Sequence, residues 1–208
     1  MKFMKMGFAV LAIAASSVAC AQMYVVGSVG SASVKGVNQS DIDQELIDAG
    51  VTGLTSSIDK RDTSYQVQLG YQVNKNFAVE GGYVDLGEVS YSASFTGGSA
   101  TAKVKASGIN VAALGILPLS DAFSLYGKLG FIDAKVKADV SATGPGGTAS
   151  GSASATKWKT NWGLGGTYNF SKQMGVRVAY DRYDNLGDNN TTGTADVDVI
   201  SAGVVLKF

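Results

Sequence analysis

Along most of this 208-residue chain apolar and polar side chains alternate one by one, the period of an extended strand with two unlike faces. In 63–73, Tyr65, Val67, Leu69 and Tyr71 take one side and Ser64, Gln66, Gln68, Gly70 and Gln72 the other. In the last segment Ile200, Ala202, Val204, Leu206 and Phe208 share a face, opposite Ser201, Gly203 and Lys207. Eight such segments are predicted, at 23–34, 63–73, 77–91, 103–117, 123–136, 157–170, 174–184 and 196–208. Three connections are tight (74–76, 118–122, 171–173), and four are long and polar (35–62, 92–102, 137–156, 185–195). Short and long connections alternate strictly, as in an up-and-down membrane barrel with short periplasmic turns and long extracellular loops. A terminal strand with a free edge invites aggregation, so the segment ending on Phe208 is expected to close the ring.

The chain opens with Lys2 and Lys5 before an apolar run at 6–15, far short of the ~20 residues a spanning helix needs. This predicts an export signal, with Ala19-Cys20-Ala21 as the small-x-small cleavage site before Gln22. Residues 1–21 are then removed, and 22–208 form a single domain. Val18-Ala19-Cys20 also half matches a lipobox, so acylation of Cys20 is an open alternative, although Ser17 stands where such boxes usually carry Leu.

Composition narrows the function classes. The single cysteine lies in the signal and there is no histidine, which sets aside disulfides, zinc sites and Ser/His or Cys/His catalysis. General bases are most often His, so no enzyme and no cofactor are expected. Net charge is zero and the cations are scattered, unlike the basic stripe of a nucleic-acid binder.

Alternation alone does not say which face turns outward. The export signal, the loop asymmetry and the final aromatic predict lipid outside and a polar lumen. Phe77, Phe123, Trp158, Trp162, Tyr168 and Phe208 fall near strand ends, where interfacial girdles are expected. A repeat supports this assignment: EGGYVD at 80–85, KLGFID at 128–133 and RVAYDR at 177–182 each place an aromatic three residues after a charge. With period two, that offset puts the aromatic and the charge on opposite faces. Tyr83, Phe131 and Tyr180 are therefore expected to face lipid, and Glu80, Lys128 and Arg177 the lumen. The reverse would set a cation against lipid at ~2–4 kcal/mol near the midplane. In 103–117 the apolar residues Ile109, Val111, Leu114, Ile116 and Leu117 straddle both faces and select neither.

An eight-stranded barrel is just wide enough to be filled by its own side chains. Glu80, Lys128 and Arg177 should meet inside, with Asp181 as second carboxylate and Gln66, Gln68, Asn110 and Asn161 as neutral partners. Such a cluster either plugs the bore or only solvates a wet interior.

The export signal, the eight strands, YDRYDNLG at 180–187 and the closing VVLKF resemble the OmpA-type transmembrane barrel and its small OmpX-like relatives. The resemblance covers the expected mature chain. It implies outer-membrane localisation and an inward network of carboxylates and cations that blocks or gates the bore, here Glu80, Lys128 and Arg177. It implies also that the barrel-assembly machinery reads the terminal aromatic, here Phe208. The peptidoglycan-binding domain of full-length OmpA-type proteins is not expected, because the sequence stops at Phe208. A monomer in contact with outer-membrane lipid and lipopolysaccharide is implied.

The loops hold any remaining recognition. SDIDQELIDAG at 40–50 predicts a short helix with Ser40 as N-cap, acidic residues in its first turn and Gly50 at its end. Its stripe of Ile42, Leu46 and Ile47 either docks a surface partner or packs on the barrel rim. The low-complexity stretch 141–156 reads as a mobile loop, and Asp184, Asp188, Asp196 and Asp198 as solvated charge or a cation bridge to lipopolysaccharide. The function expected is a structural or narrow-pore barrel, with a surface adhesin, virulence or resistance factor acting through its loops as the alternative.

Overall fold

A computed structural model describes residues 22–208; the expected export signal and its cleavage site, with Ala19, Cys20 and Ala21, lie outside them. The elements are β1 (Gln22–Lys35), α1 (Gln39–Asp48), β2 (Thr55–Asp59), β3 (Arg61–Asn74), β4 (Phe77–Phe95), β5 (Gly98–Pro118), β6 (Phe123–Gly144), β7 (Gly147–Asn169), β8 (Met174–Asp188) and β9 (Gly193–Lys207). Eight of the strands form one antiparallel ring in the order β3, β1, β9, β8, β7, β6, β5, β4, closed by β4 on β3. The seam expected of the last strand is the β1–β9 ladder, from Tyr24↔Lys207 to Lys35↔Asp196. The ninth strand, β2, pairs only with β4 and continues the line of β3 outward past Lys60.

The two ends of the ring differ as the connection lengths predict, but the long segments are strand rather than loop. The β5–β6 ladder runs from Pro118↔Ser124 to Ser99↔Thr143, and the β6–β7 ladder from Phe123↔Tyr168 to Gly144↔Gly147. The stretch 141–156, expected to be a mobile loop, is therefore a hairpin turning at Pro145-Gly146. Backbone hydrogen bonds need no apolar side chain, and Ser, Thr, Ala and Gly pair along a ladder without a core. Only 36–60 carries a true insertion, α1 and β2. The helix starts two residues earlier than Ser40 predicts: Asn38 is the extended cap residue and its side-chain amide donates to Asp41 (3.0 Å), while Gly50 in the left-handed region (φ +90°) follows the last turn.

A belt of outward apolar side chains rings the short-turn half. Val67, Leu129, Val178 and Ile200 are all at least 60% exposed, an area that water would not tolerate and a bilayer covers. On β7, Tyr168 pairs with Phe123 at the lower edge of this belt and Trp158 with Asp133 at the upper, about ten residues apart, which matches the 9–11 residues of a tilted spanning strand. Segment 103–117 is settled as well: Ile109, Val111 and Leu117 turn outward, while Leu114 is buried within. Strands β4 to β7 overshoot the belt by about another span, forming a collar.

The face code inverts where the strands leave the belt. On β6 the outward residues change from Leu125, Leu129 and Phe131 to Lys135, Lys137 and Asp139, and the inward ones from Lys128 to Ile132, Ala134 and Val136. The interior is consequently layered, not polar throughout as expected. A lower apolar layer contains Tyr24, Leu114, Tyr126 and Val205. Charged residues lie above it. An upper apolar layer, with Val84, Leu86, Ile132, Tyr183, Leu186 and Val199, sits above those. Leu86 and Leu186 reach that layer from β-bulges in β4 and β8, where Gly87 (φ +78°) and Asn185 (φ +52°) take left-handed conformations.

Candidate functional site

The charged layer brings together all four residues of the expected cluster, each from an inward position of a spanning strand. Arg177 Nη1 donates to Glu80 Oε1 at 2.6 Å, with the two side chains 11% and 1% exposed. Their strands, β8 and β4, have three strands between them whichever way one counts around the ring, so this pair spans the full bore. Lys128 Nζ and Asp181 Oδ1 form a second buried ion pair at 2.8 Å. Tyr24 donates its hydroxyl to Glu80 Oε1 (2.7 Å), and Arg177 Nε donates to Thr167 Oγ1 (3.3 Å). The Arg177 guanidinium lies 5.6 Å from the Tyr24 ring centre and 4.7 Å from that of Tyr126, adding cation–π attraction.

Two glycines make these crossings possible. Tyr24 and Glu80 are separated by β3, and the residue in register between them is Gly70; a Cβ there would run into the Tyr24 ring. Lys128 and Asp181 are separated by β7, and the residue in register between them is Gly163, whose added Cβ would strike Asp181 Oδ1. Each polar contact therefore passes over a strand that has no side chain at that level. The neutral partners behave differently from expectation. Gln68 Nε2 donates to Gln66 Oε1 (3.1 Å), while the buried amides of Asn110 and Asn161 make no hydrogen bond to other described residues. Sequence reasoning missed Tyr24, Tyr126 and the two glycines. Tyr126 stands two residues before Lys128, on its face of β6, and this was the available signal.

Chemically the layer is a set of neutralised charges. The cavity among Gln66, Glu80, Lys128, Arg177 and Asp181 measures about 10 Å³, space for about one water. Above it the upper apolar layer closes the bore, while below it Tyr24, Leu114, Tyr126 and Val205 help to wall a cavity of about 170 Å³ that reaches Arg177 from the short-turn end.

At the outer mouth α1 lies across the collar with none of its residues buried. It is tied down through Asp43, which accepts hydrogen bonds from Tyr91 (2.6 Å) and Ser56 (2.7 Å), while Gln39 donates to Ser56 Oγ (2.8 Å). These hydroxyls, Tyr91 first, hold the Asp43 carboxyl below its ordinary value. Of the four Asp residues near the last turn, three form a second surface cluster in which Arg182 meets Asp184 (3.3 Å), Asp196 (2.6 Å) and Asp198 (3.6 Å), while Asp188 pairs with Lys157 (3.1 Å). Asp196 also accepts from the Asn185 amide, and these two contacts lower its pKa. Phe208 points outward at the short-turn end, 77% exposed, its backbone amide bonded to Met23 O (2.9 Å).

Comparison with known proteins agrees with this geometry. The family model of the OmpA-like transmembrane domain matches residues 19–208. Outer membrane protein A of Salmonella typhi is 33% identical over 140 residues, which cover 67% of this chain and 38% of that protein. Outer membrane protein A of Yersinia pseudotuberculosis serotype I is 30% identical over the same shares. The chain thus spans about two fifths of the length of these relatives. Among solved structures, Neisserial surface protein A superposes with a TM-score of 0.54 at 16% identity, covering 89% of this chain and 97% of that one, a likeness of fold. A closed eight-stranded ring with an outward apolar belt and a family match over its whole length make this chain an outer-membrane β-barrel of the OmpA-like transmembrane domain family.

Proposed function

We propose that the protein is a structural outer-membrane barrel whose bore is closed at rest, with the charged layer serving as an internal tie between opposite walls. The observation that carries this reading is the layering: Glu80, Arg177, Lys128 and Asp181 are paired across the bore beneath a buried apolar layer, with room for about one water among them. An ion passing the centre would have to part the ion pairs and then cross the upper layer of Val84, Leu86, Ile132 and Leu186 without compensating contacts. On this reading Phe208 keeps the assembly-signal role implied by the family resemblance, and lipopolysaccharide meets the outer half of the belt. No reaction is assigned to the barrel.

Single-channel recording of the refolded chain in planar bilayers, after a heat-modifiable gel shift has established folding, tests this proposal. The closed reading expects a silent baseline from the wild type, and from Glu80→Ala and Arg177→Ala. Discrete steps in the wild type that change with either substitution would replace it with a gated narrow pore. The collar favours a second, compatible reading, recognition at the cell surface. Its strands hold α1 and the β4–β7 hairpins rigidly above the bilayer, where a partner protein could meet them.

A further inference from the structure

The outer end of the bore is not flush with the upper apolar layer. Between that layer and α1 lies a cup of about 220 Å³ whose walls include Val34, Ile58, Val89, Val104, Val136 and Leu186. None of the residues lining it is charged; Thr192, Thr194 and Tyr91 supply its only side-chain hydroxyls, and each donates elsewhere, to Gly193 O, Asn189 and Asp43 respectively. Leu86, Val136, Leu186 and Val197 are each buried and close the floor. Ile42 of α1, half-buried, faces the cup from the lid side, and the Asp43 clasp to Tyr91 and Ser56 ties that helix to the rim. An enclosed apolar space of about 150 Å³ in a protein takes up small hydrocarbons, and this cup, open at its rim, measures more.

From this geometry we infer that the cup is a binding site for an uncharged, medium-length aliphatic molecule, with α1 as its lid. Size and charge set the ligand class. Scaled from a cavity of about 150 Å³ that takes up the six carbons of benzene, about 220 Å³ holds roughly nine non-hydrogen atoms, the size of octanol. A carboxylate or ammonium head would lose its hydration among Val, Ile and Leu, since none of the lining residues is charged, whereas a hydroxyl head can donate to the Thr194 oxygen at the rim, whose own proton goes to Asn189. The site lies above the charged layer and does not depend on whether the bore conducts.

Titration with 1-octanol tests the site, using methyl-labelled full-length barrel in lipid nanodiscs. Saturable shifts are expected at Val104, Val136, Leu186 and Val197, with none at the lipid-facing methyls of Leu164 and Val178. Val104→Trp fills the cup and should weaken binding at least about tenfold, as should Ala102→Phe if the first variant does not refold; Val178→Trp on the outer belt should bind as the wild type does. Octanoate at neutral pH should bind at least about tenfold more weakly than octanol. Shifts that rise linearly and equally on both faces would mean partition into bilayer, and would overturn the inference. So would saturable binding that persists in both cup variants, equal binding of octanoate, or no shift at all.

Discussion

Within a single strand, β6, the same alternation serves two opposite solvents. From Phe123 to Phe131 the outward face is apolar and the inward face carries Lys128, because lipid lies outside; from Asp133 on, the outward face carries charge and the inward face Ala134 and Val136, because water does. Lower barrel and collar are continuous in backbone and opposite in code. The lesson is that period two reports only that two faces differ, and the medium at each height decides which face is which.

Substitutions matched across that boundary should separate the halves. The largest effect belongs to the pair that crosses the bore: Glu80→Ala leaves Arg177 unpaired inside the belt and should cost about 3–5 kcal/mol in urea unfolding from lipid vesicles. In the collar, Asp43→Ala should leave the global transition within about 0.5 kcal/mol, since its hydrogen bonds hold only α1. The next effect sets outward positions against each other. Leu129→Arg, near the middle of the belt, should lose about 2–4 kcal/mol, whereas Lys137→Leu, higher on the same face of β6, should change stability by no more than about 0.5 kcal/mol. Comparable losses from both would erase the boundary drawn here.

The smallest expected effect is a local one in acid. The folded state holds Asp43 below its ordinary pKa, so the clasp is at full strength above about pH 3.9 and is lost as pH falls through the lowered value. The Ile42 methyl should shift in a single step within that acid window while belt methyls stay put. Asp43→Asn should remove the step, and a step that survives would assign it to another group.

The spanning strands were legible because the belt enforces strict alternation, and the EGGYVD, KLGFID and RVAYDR repeats located Glu80, Lys128 and Arg177 on one face. The collar was not. Its β7 segment is Gly, Ser, Ala and Thr, a composition that reads as a loop and is held extended by its ladder with β6. Inward apolar residues such as Ile132 and Val136 were hidden for a different reason: a lumen predicted to be polar throughout left no place for them. The glycines beneath the ion pairs gave no local signal, since their importance lies in which residues the register sets on either side.

Those two glycines bear on how the ring is assembled. A slip of two residues keeps every side chain on its proper face, so neither lipid nor water would object to it. On β3 such a slip would replace Gly70 with Gln68 or Gln72 in the path of the Tyr24 ring, and on β7 it would put Asn161 or Gly165 in place of Gly163, in one direction raising a side chain between Lys128 and Asp181. The two side-chain-free positions thus penalise a slipped alignment that burial alone would accept.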